Sequence, residues 1–83
     1  MPALDRDGPV PLWRQLASAL RARIESGEIP PGRALPSRKQ LEQEYDVGQK
    51  TVEHALSYLA DEGLIESVHG KGNYVIGPRE GRI

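Results

Sequence analysis

Apolar residues fall along the chain in three helical patterns, followed by two short β-prone runs. Leu12, Trp13, Leu16, Leu20 and Ile24 keep a helical spacing from Pro11, which a first helical turn tolerates, to Gly27, a C-cap. Leu41 and Tyr45 mark a second, shorter helix, opened by Ser37 and Gln40 at the spacing of a capping box. Val52, Ala55, Leu56 and Leu59 lie at i, i+3, i+4 and i+7, one face of a third helix that ends before Gly63. Its other face carries Gln49, Lys50, Glu53, His54 and Ser57. Leu64–Val68 and Asn73–Ile76 are the β-prone runs, and His69-Gly70-Lys71-Gly72 between them predicts a hairpin. The expected core is Trp13, Leu16, Leu20, Leu41, Val52, Leu56, Leu59 and Ile65.

The punctuation supports this order. In Ile29-Pro30-Pro31-Gly32 the two prolines remove backbone donors and Pro31-Gly32 suits the centre of a tight turn, and Ala34-Leu35-Pro36 is expected to be extended, as a very short strand. Asp46-Val47-Gly48 separates the second and third helices. Residues 1–9 have little to bury and read as a flexible N-terminal arm, residues 10–76 as the folded domain, and residues 77–83 as a tail or the start of a linker.

Two short helices, a tight break and a Gly-rich hairpin, in that order, predict an α+β winged helix-turn-helix: a three-helix core with a small antiparallel β-hairpin wing. A helix with an apolar seam and a polar face can lie in a DNA major groove, its N-terminal residues reaching base edges. The predicted recognition helix covers about 49–62, and the wing 69–73 would meet the DNA backbone or minor groove.

Composition narrows the alternatives. At 83 residues the chain has room for one small core and no deep substrate cavity, and with no Cys it has neither disulfides nor a thiolate metal site. No apolar run approaches the ~18 residues of a membrane span, and the first residues lack a signal peptide's pattern, so a cytoplasmic location is expected. Eleven Lys and Arg against twelve Asp and Glu leave a formal charge of -1, low for a nucleic-acid binder. The distribution offsets the sum. Arg33, Arg38, Lys39, Lys50, His54, His69 and Lys71 lie at helix starts and in the hairpin, whereas Glu42, Glu44, Asp46, Asp61 and Glu62 lie toward helix ends.

On the third helix, Gln49 can pair bidentately with an adenine edge, Thr51 can meet a phosphate or thymine methyl, and Lys50 and His54 can reach backbone or guanine. Glu53 could accept from a cytosine amino group, but its ordinary role is a pair with Lys50 along the helix. His69, Gly70 and Lys71 form a candidate contact at the hairpin tip; the plainer alternative is a turn with a solubilising Lys. Arg14, Arg21 and Arg23 read as a solvated face of the first helix. The two His have no metal-ligand spacing and no nucleophile or phosphate loop is complete, so neither an enzyme nor a metal or cofactor site is expected.

From about Val10 to Ile76 the chain closely resembles the N-terminal DNA-binding domain of the GntR family of bacterial transcription regulators. The resemblance rests on Pro11-Leu12-Trp13-Arg14-Gln15-Leu16, Gly27-Glu28-Ile29-Pro30-Pro31-Gly32, Leu35-Pro36-Ser37, Thr51-Val52 with Ala55-Leu56, Leu59, Glu62-Gly63-Leu64-Ile65 and Gly70-Lys71-Gly72-Asn73-Tyr74-Val75. It implies a DNA-binding site of Ser37, Arg38, Lys39, Gln49, Lys50, Thr51, Glu53, His54, His69, Gly70 and Lys71. The departures fall within that site. The family's second helix usually begins Pro-Ser-Glu-Arg, and here Arg38 and Lys39 take the Glu and Arg places. Its recognition helix usually starts Val-Ser-Arg with another Arg four positions on, and here those places hold Val47-Gly48-Gln49 and Glu53.

The implied function is sequence-specific double-stranded DNA binding in bacterial transcription regulation, as a repressor on an inverted-repeat operator. The implied partners besides DNA are a second copy, as a homodimer, or an effector-binding domain outside this chain, which reads as a fragment or a free-standing domain. The alternative is a winged-helix protein-interaction module without specific DNA binding.

Overall fold

The computed structural model describes residues 4–76; the expected tail and the first three residues of the arm lie outside them. Three helices, α1 (Leu12–Glu25), α2 (Arg38–Tyr45) and α3 (Gln49–Asp61), precede an antiparallel hairpin of β1 (Ile65–Val68) and β2 (Gly72–Val75). This is the winged helix-turn-helix that the pattern predicts.

Local chemistry sets each boundary. The capping box at α2 is complete: Ser37 Oγ accepts from the Gln40 N–H at 3.1 Å, and Gln40 Oε1 accepts from the Ser37 N–H at 2.8 Å. The helix ends at Asp46, whose φ of 56° and ψ of 54° place it in the left-handed region. Its short polar side chain makes that region accessible, and the chain reverses within three residues to begin α3. Gly48 is the N-cap of α3 and supplies no side-chain acceptor, a few tenths of a kcal/mol poorer than Ser would be.

The core follows the helical seams. Leu16 and Leu20 of α1, Leu41 of α2, and Val52, Ala55 and Leu59 of α3 are fully buried, and Ile65 and Val75 close it from the hairpin. Trp13 departs from expectation. Only half-buried, it sits in the first turn of α1 where the helix runs past the edge of the core, over the side chains of α3. Ile29, Leu35 and Tyr45, absent from the expected core, are buried.

The loop between α1 and α2 is joined to the hairpin. Arg33 N–H donates to the Pro30 carbonyl at 3.1 Å across Pro31-Gly32, a turn that needs the positive φ of 85° at Gly32. The chain then runs beside β2: Gly32 N–H donates to Val75 O, Val75 N–H to Arg33 O and Leu35 N–H to Asn73 O, at 2.8–2.9 Å. A bridge between Ala34 and Tyr74 marks this third edge of the wing. The short extended segment is thus present, and its partner is a strand some forty residues later.

The part of the expected arm within the described residues is docked on α1. Gln15 Oε1 accepts from the Asp5 N–H at 2.7 Å, and its Nε2 donates to the carbonyls of Asp5 and Val10 at 2.7 and 2.8 Å. Arg6 reaches across to the end of α2, donating to the carbonyls of Tyr45 and Asp46 and lying 3.5 Å from the Asp46 carboxylate. Carbonyls left over at a helix end are what such a guanidinium satisfies.

Candidate nucleic-acid interface

An open groove of about 1120 Å³ runs between the start of α2, the exposed side of α3 and the hairpin tip. Leu35, Ser37 and Arg38 form one wall, Glu53, Leu56, Ser57 and Ala60 the floor, and Ser67 to Asn73 the other wall. Six of the residues picked from sequence, Ser37, Arg38, Glu53, His69, Gly70 and Lys71, line it together. Ser57 and Asn73, which were not among the candidates, line it as well. Ser57 had a signal, since it follows Glu53 by one helical turn; the position of Asn73 depends on hairpin register.

That register is set by the turn. Ile65 pairs with Val75, Glu66 with Tyr74, Ser67 with Asn73 and Val68 with Gly72, leaving His69-Gly70-Lys71 as a three-residue tip. Lys71 N–H donates to the Val68 carbonyl at 2.9 Å, and Gly70 at φ 77° makes the reversal. His69 and Lys71 are both exposed on the tip.

Glu53 is not paired with Lys50. Its Oε2 instead accepts from Gln49 Nε2 at 2.9 Å and from Arg38 Nη1 at 3.2 Å, joining the starts of α2 and α3. The reason is geometric: α2 packs against α3 so that Arg38 lies above the groove side of α3, and Gln49 is one turn before Glu53 on that side. Lys50 is exposed and makes no ion pair with Glu53.

The remaining candidates surround the groove. Lys39 is exposed in the first turn of α2, while Gln49 and Lys50 are exposed and Thr51 half-buried in the first turn of α3. His54 stands apart from the groove residues. Its ring stacks on Trp13 of α1, with centroids 3.9 Å apart and 14° between planes, and Tyr58 meets the same indole edge-on at 5.3 Å.

Of the acids toward helix ends, Glu44, Asp46 and Glu62 are paired with arginines, and none of the three lines the groove. Arg21 Nη2 binds Glu62 Oε1 at 2.8 Å, and Arg23 reaches Glu28 at 2.9 Å, Glu44 at 3.3 Å and the Tyr45 hydroxyl at 3.2 Å. Of the expected solvated face, Arg21 and Arg23 therefore belong to ion pairs between elements. The hydrogen bond to Glu62, working against desolvation, holds the Arg21 pKa above its ordinary value. Burial lowers that of Arg23, but the Tyr45 hydroxyl and the carboxylates of Glu44 and Glu28 outweigh it. Lys39, Lys50 and Lys71 are exposed and make no ion pair with another described residue, and Lys71 lines the groove.

Among the described residues no group of His, Asp or Glu could hold a metal ion, and no helix is long and apolar enough to cross a membrane.

Comparison with known proteins agrees with this geometry. The profile of the bacterial regulatory proteins of the gntR family matches residues 12–75. The chain is 43% identical over 68 residues to the mannosyl-D-glycerate transport/metabolism system repressor MngR of Escherichia coli, covering 82% of this chain and 28% of that protein. It is 32% identical over 76 residues to the transcriptional repressor NagR of Bacillus subtilis, covering 92% of this chain and 31% of the relative. The chain thus spans under a third of the length of either. Among solved structures, YtrA from Sulfolobus acidocaldarius, a GntR-family transcription factor, superposes with a TM-score of 0.83 at 32% identity, covering 93% of this chain and 81% of that one. The DNA-binding domain of AraR in complex with operator ORX1 gives 0.83 at 29% identity, covering 88% and 93%.

Proposed function

The chain belongs to the gntR family of bacterial regulatory proteins, and on that premise we propose that its residues 10–76 bind double-stranded DNA sequence-specifically, as the DNA-binding unit of a cytoplasmic transcriptional repressor. One observation carries this reading. The exposed side of α3 from Glu53 to Ala60, the start of α2 and the wing tip share one open groove, on the fold that AraR's domain adopts in complex with its operator, and Glu53 ties Gln49 in the first turn of α3 to it.

In this reading α3 enters the major groove with Gln49 and Lys50 foremost, and Thr51 and Glu53 behind them. Lys39 and Arg38 at α2, with His69, Gly70 and Lys71 at the wing, meet the backbone on either side. His54, its ring taken up by Trp13, holds α3 against α1 and has at most an edge for a phosphate. The chemistry is recognition without catalysis. One helix and one wing make few phosphate contacts, so useful affinity calls for a dimer on an inverted repeat, with half-sites about one helical turn apart.

Binding of labelled duplex DNA across a salt series tests the reading. Affinity that falls linearly in log–log form with salt is expected, because each neutralised phosphate releases its counterions. No duplex binding at low salt, or binding indifferent to salt, would overturn it in favour of a protein-interaction module.

A further inference from the structure

Glu53 is the one acid among the residues that line the groove, on the face that the DNA reading turns toward phosphates. Its carboxylate is not idle there: one oxygen accepts from both Gln49 Nε2, at 2.9 Å, and Arg38 Nη1, at 3.2 Å. We propose that Glu53 is a positioning residue that sets the base preference of Gln49 by holding its side-chain amide in one orientation, with Arg38 as the cover for its charge. The inference rests on the DNA-binding reading.

A glutamine amide has a donor end and an acceptor end of nearly equal size, and a free one can present either. A carboxylate only accepts, so the neighbour facing it must be Nε2. With one Nε2 hydrogen committed to Glu53, Oε1 and the second hydrogen form the outward edge. That acceptor–donor pair complements the N6 donor and N7 acceptor of adenine in the major groove. Guanine offers two acceptors, O6 and N7, and would set Oε1 against one of them. The held amide therefore favours adenine over guanine at one base pair. Arg38 shares the same carboxylate oxygen, so the negative charge is met before it repels the DNA backbone, and the guanidinium is kept above the groove.

The test is a double-variant cycle on the 83-residue chain, read by selection from a random duplex library and by salt-dependent binding. Glu53→Gln keeps the size of the side chain and can donate as well as accept, so it releases the amide. The preference for adenine over guanine at one position is expected to fall about fivefold or more, the low end of one lost bidentate contact. Affinity for all sequences should rise and the salt slope steepen by about one unit as Arg38 is freed. In a Gln49→Ala background, Glu53→Gln should leave base preference unchanged while still raising overall affinity. That contrast separates orientation from charge. An unchanged selected base in Glu53→Gln overturns the proposal, as does an equal loss of preference in both backgrounds, which would make Glu53 itself the reader. A parent chain that binds no duplex removes the DNA reading first, and is told apart by the salt series alone.

Discussion

Trp13 lies flat on His54, their ring centroids 3.9 Å apart and their planes 14° from parallel. The contact ties the first turn of α1 to the outer side of α3, with Tyr58 completing it one turn on at 5.3 Å. It takes a polar residue of the predicted recognition helix out of the groove and puts it to structural use.

His54→Ala should therefore act on stability before it acts on recognition. Loss of a stacked pair costs about 0.5–1.5 kcal/mol, with the lower end expected at a half-exposed position. Trp13 is the one tryptophan in the chain, so its emission should shift to the red as water replaces the imidazole. Fluorescence and denaturant melting check both, and an unmoved emission maximum would mean the rings are not stacked in solution.

Core truncations should differ according to what lies beside the cavity. Leu59 is fully buried, and Leu59→Ala is expected to cost roughly 2–5 kcal/mol in denaturant unfolding, as enclosed cavities do. Leu56 is 6% exposed and forms part of the groove floor, so solvent can enter the space left by Leu56→Ala. Its cost should fall near the bottom of the same range, about 2 kcal/mol. Equal costs would mean that the groove closes over Leu56.

Gln15 holds the residues before α1 through three hydrogen bonds, and Gln15→Ala should release them. The Asp5 amide is expected to exchange with solvent much faster in the variant. Global stability should fall by only about 1 kcal/mol, because the contacts are exposed and water replaces them. Hydrogen exchange with an unfolding curve distinguishes local release from global loss.

Lys39→Ala and Lys71→Ala should each weaken binding to every duplex and flatten the log–log salt dependence by about 0.9, one counterion's worth. Gln49→Ala should behave otherwise, relaxing preference at one base pair by roughly 1–3 kcal/mol with little change in salt slope. If the two lysines alter the selected sequence, the division between backbone contacts and base readers is wrong.

The helices were legible because their determinants are local. The Ser37–Gln40 capping box, the spacing of Val52, Ala55, Leu56 and Leu59, and the breaks at Asp46 and Gly63 act within a turn or two of chain, and all appear where the pattern puts them. The hairpin was legible for the same reason, its strands flanking a Gly-bearing tip. What the sequence could not specify were the partners of side chains that reach between elements. Glu53 had Lys50 within reach on its own helix and meets Arg38 of α2 instead; Trp13 resembled a core residue and became a platform for His54. Arg6 and Gln15, unremarkable in a linear reading, tie residues before α1 to the rest of the domain, and Ala34 pairs with Tyr74. Periodicity states which face of a helix is dry, but the angle at which two helices cross decides which polar residues at the margins meet. The groove is made at those margins, so its floor and the Gln49–Glu53 bond one turn apart lie within reach of local spacing, whereas the Arg38–Glu53 pair across two helices was decided only by tertiary packing.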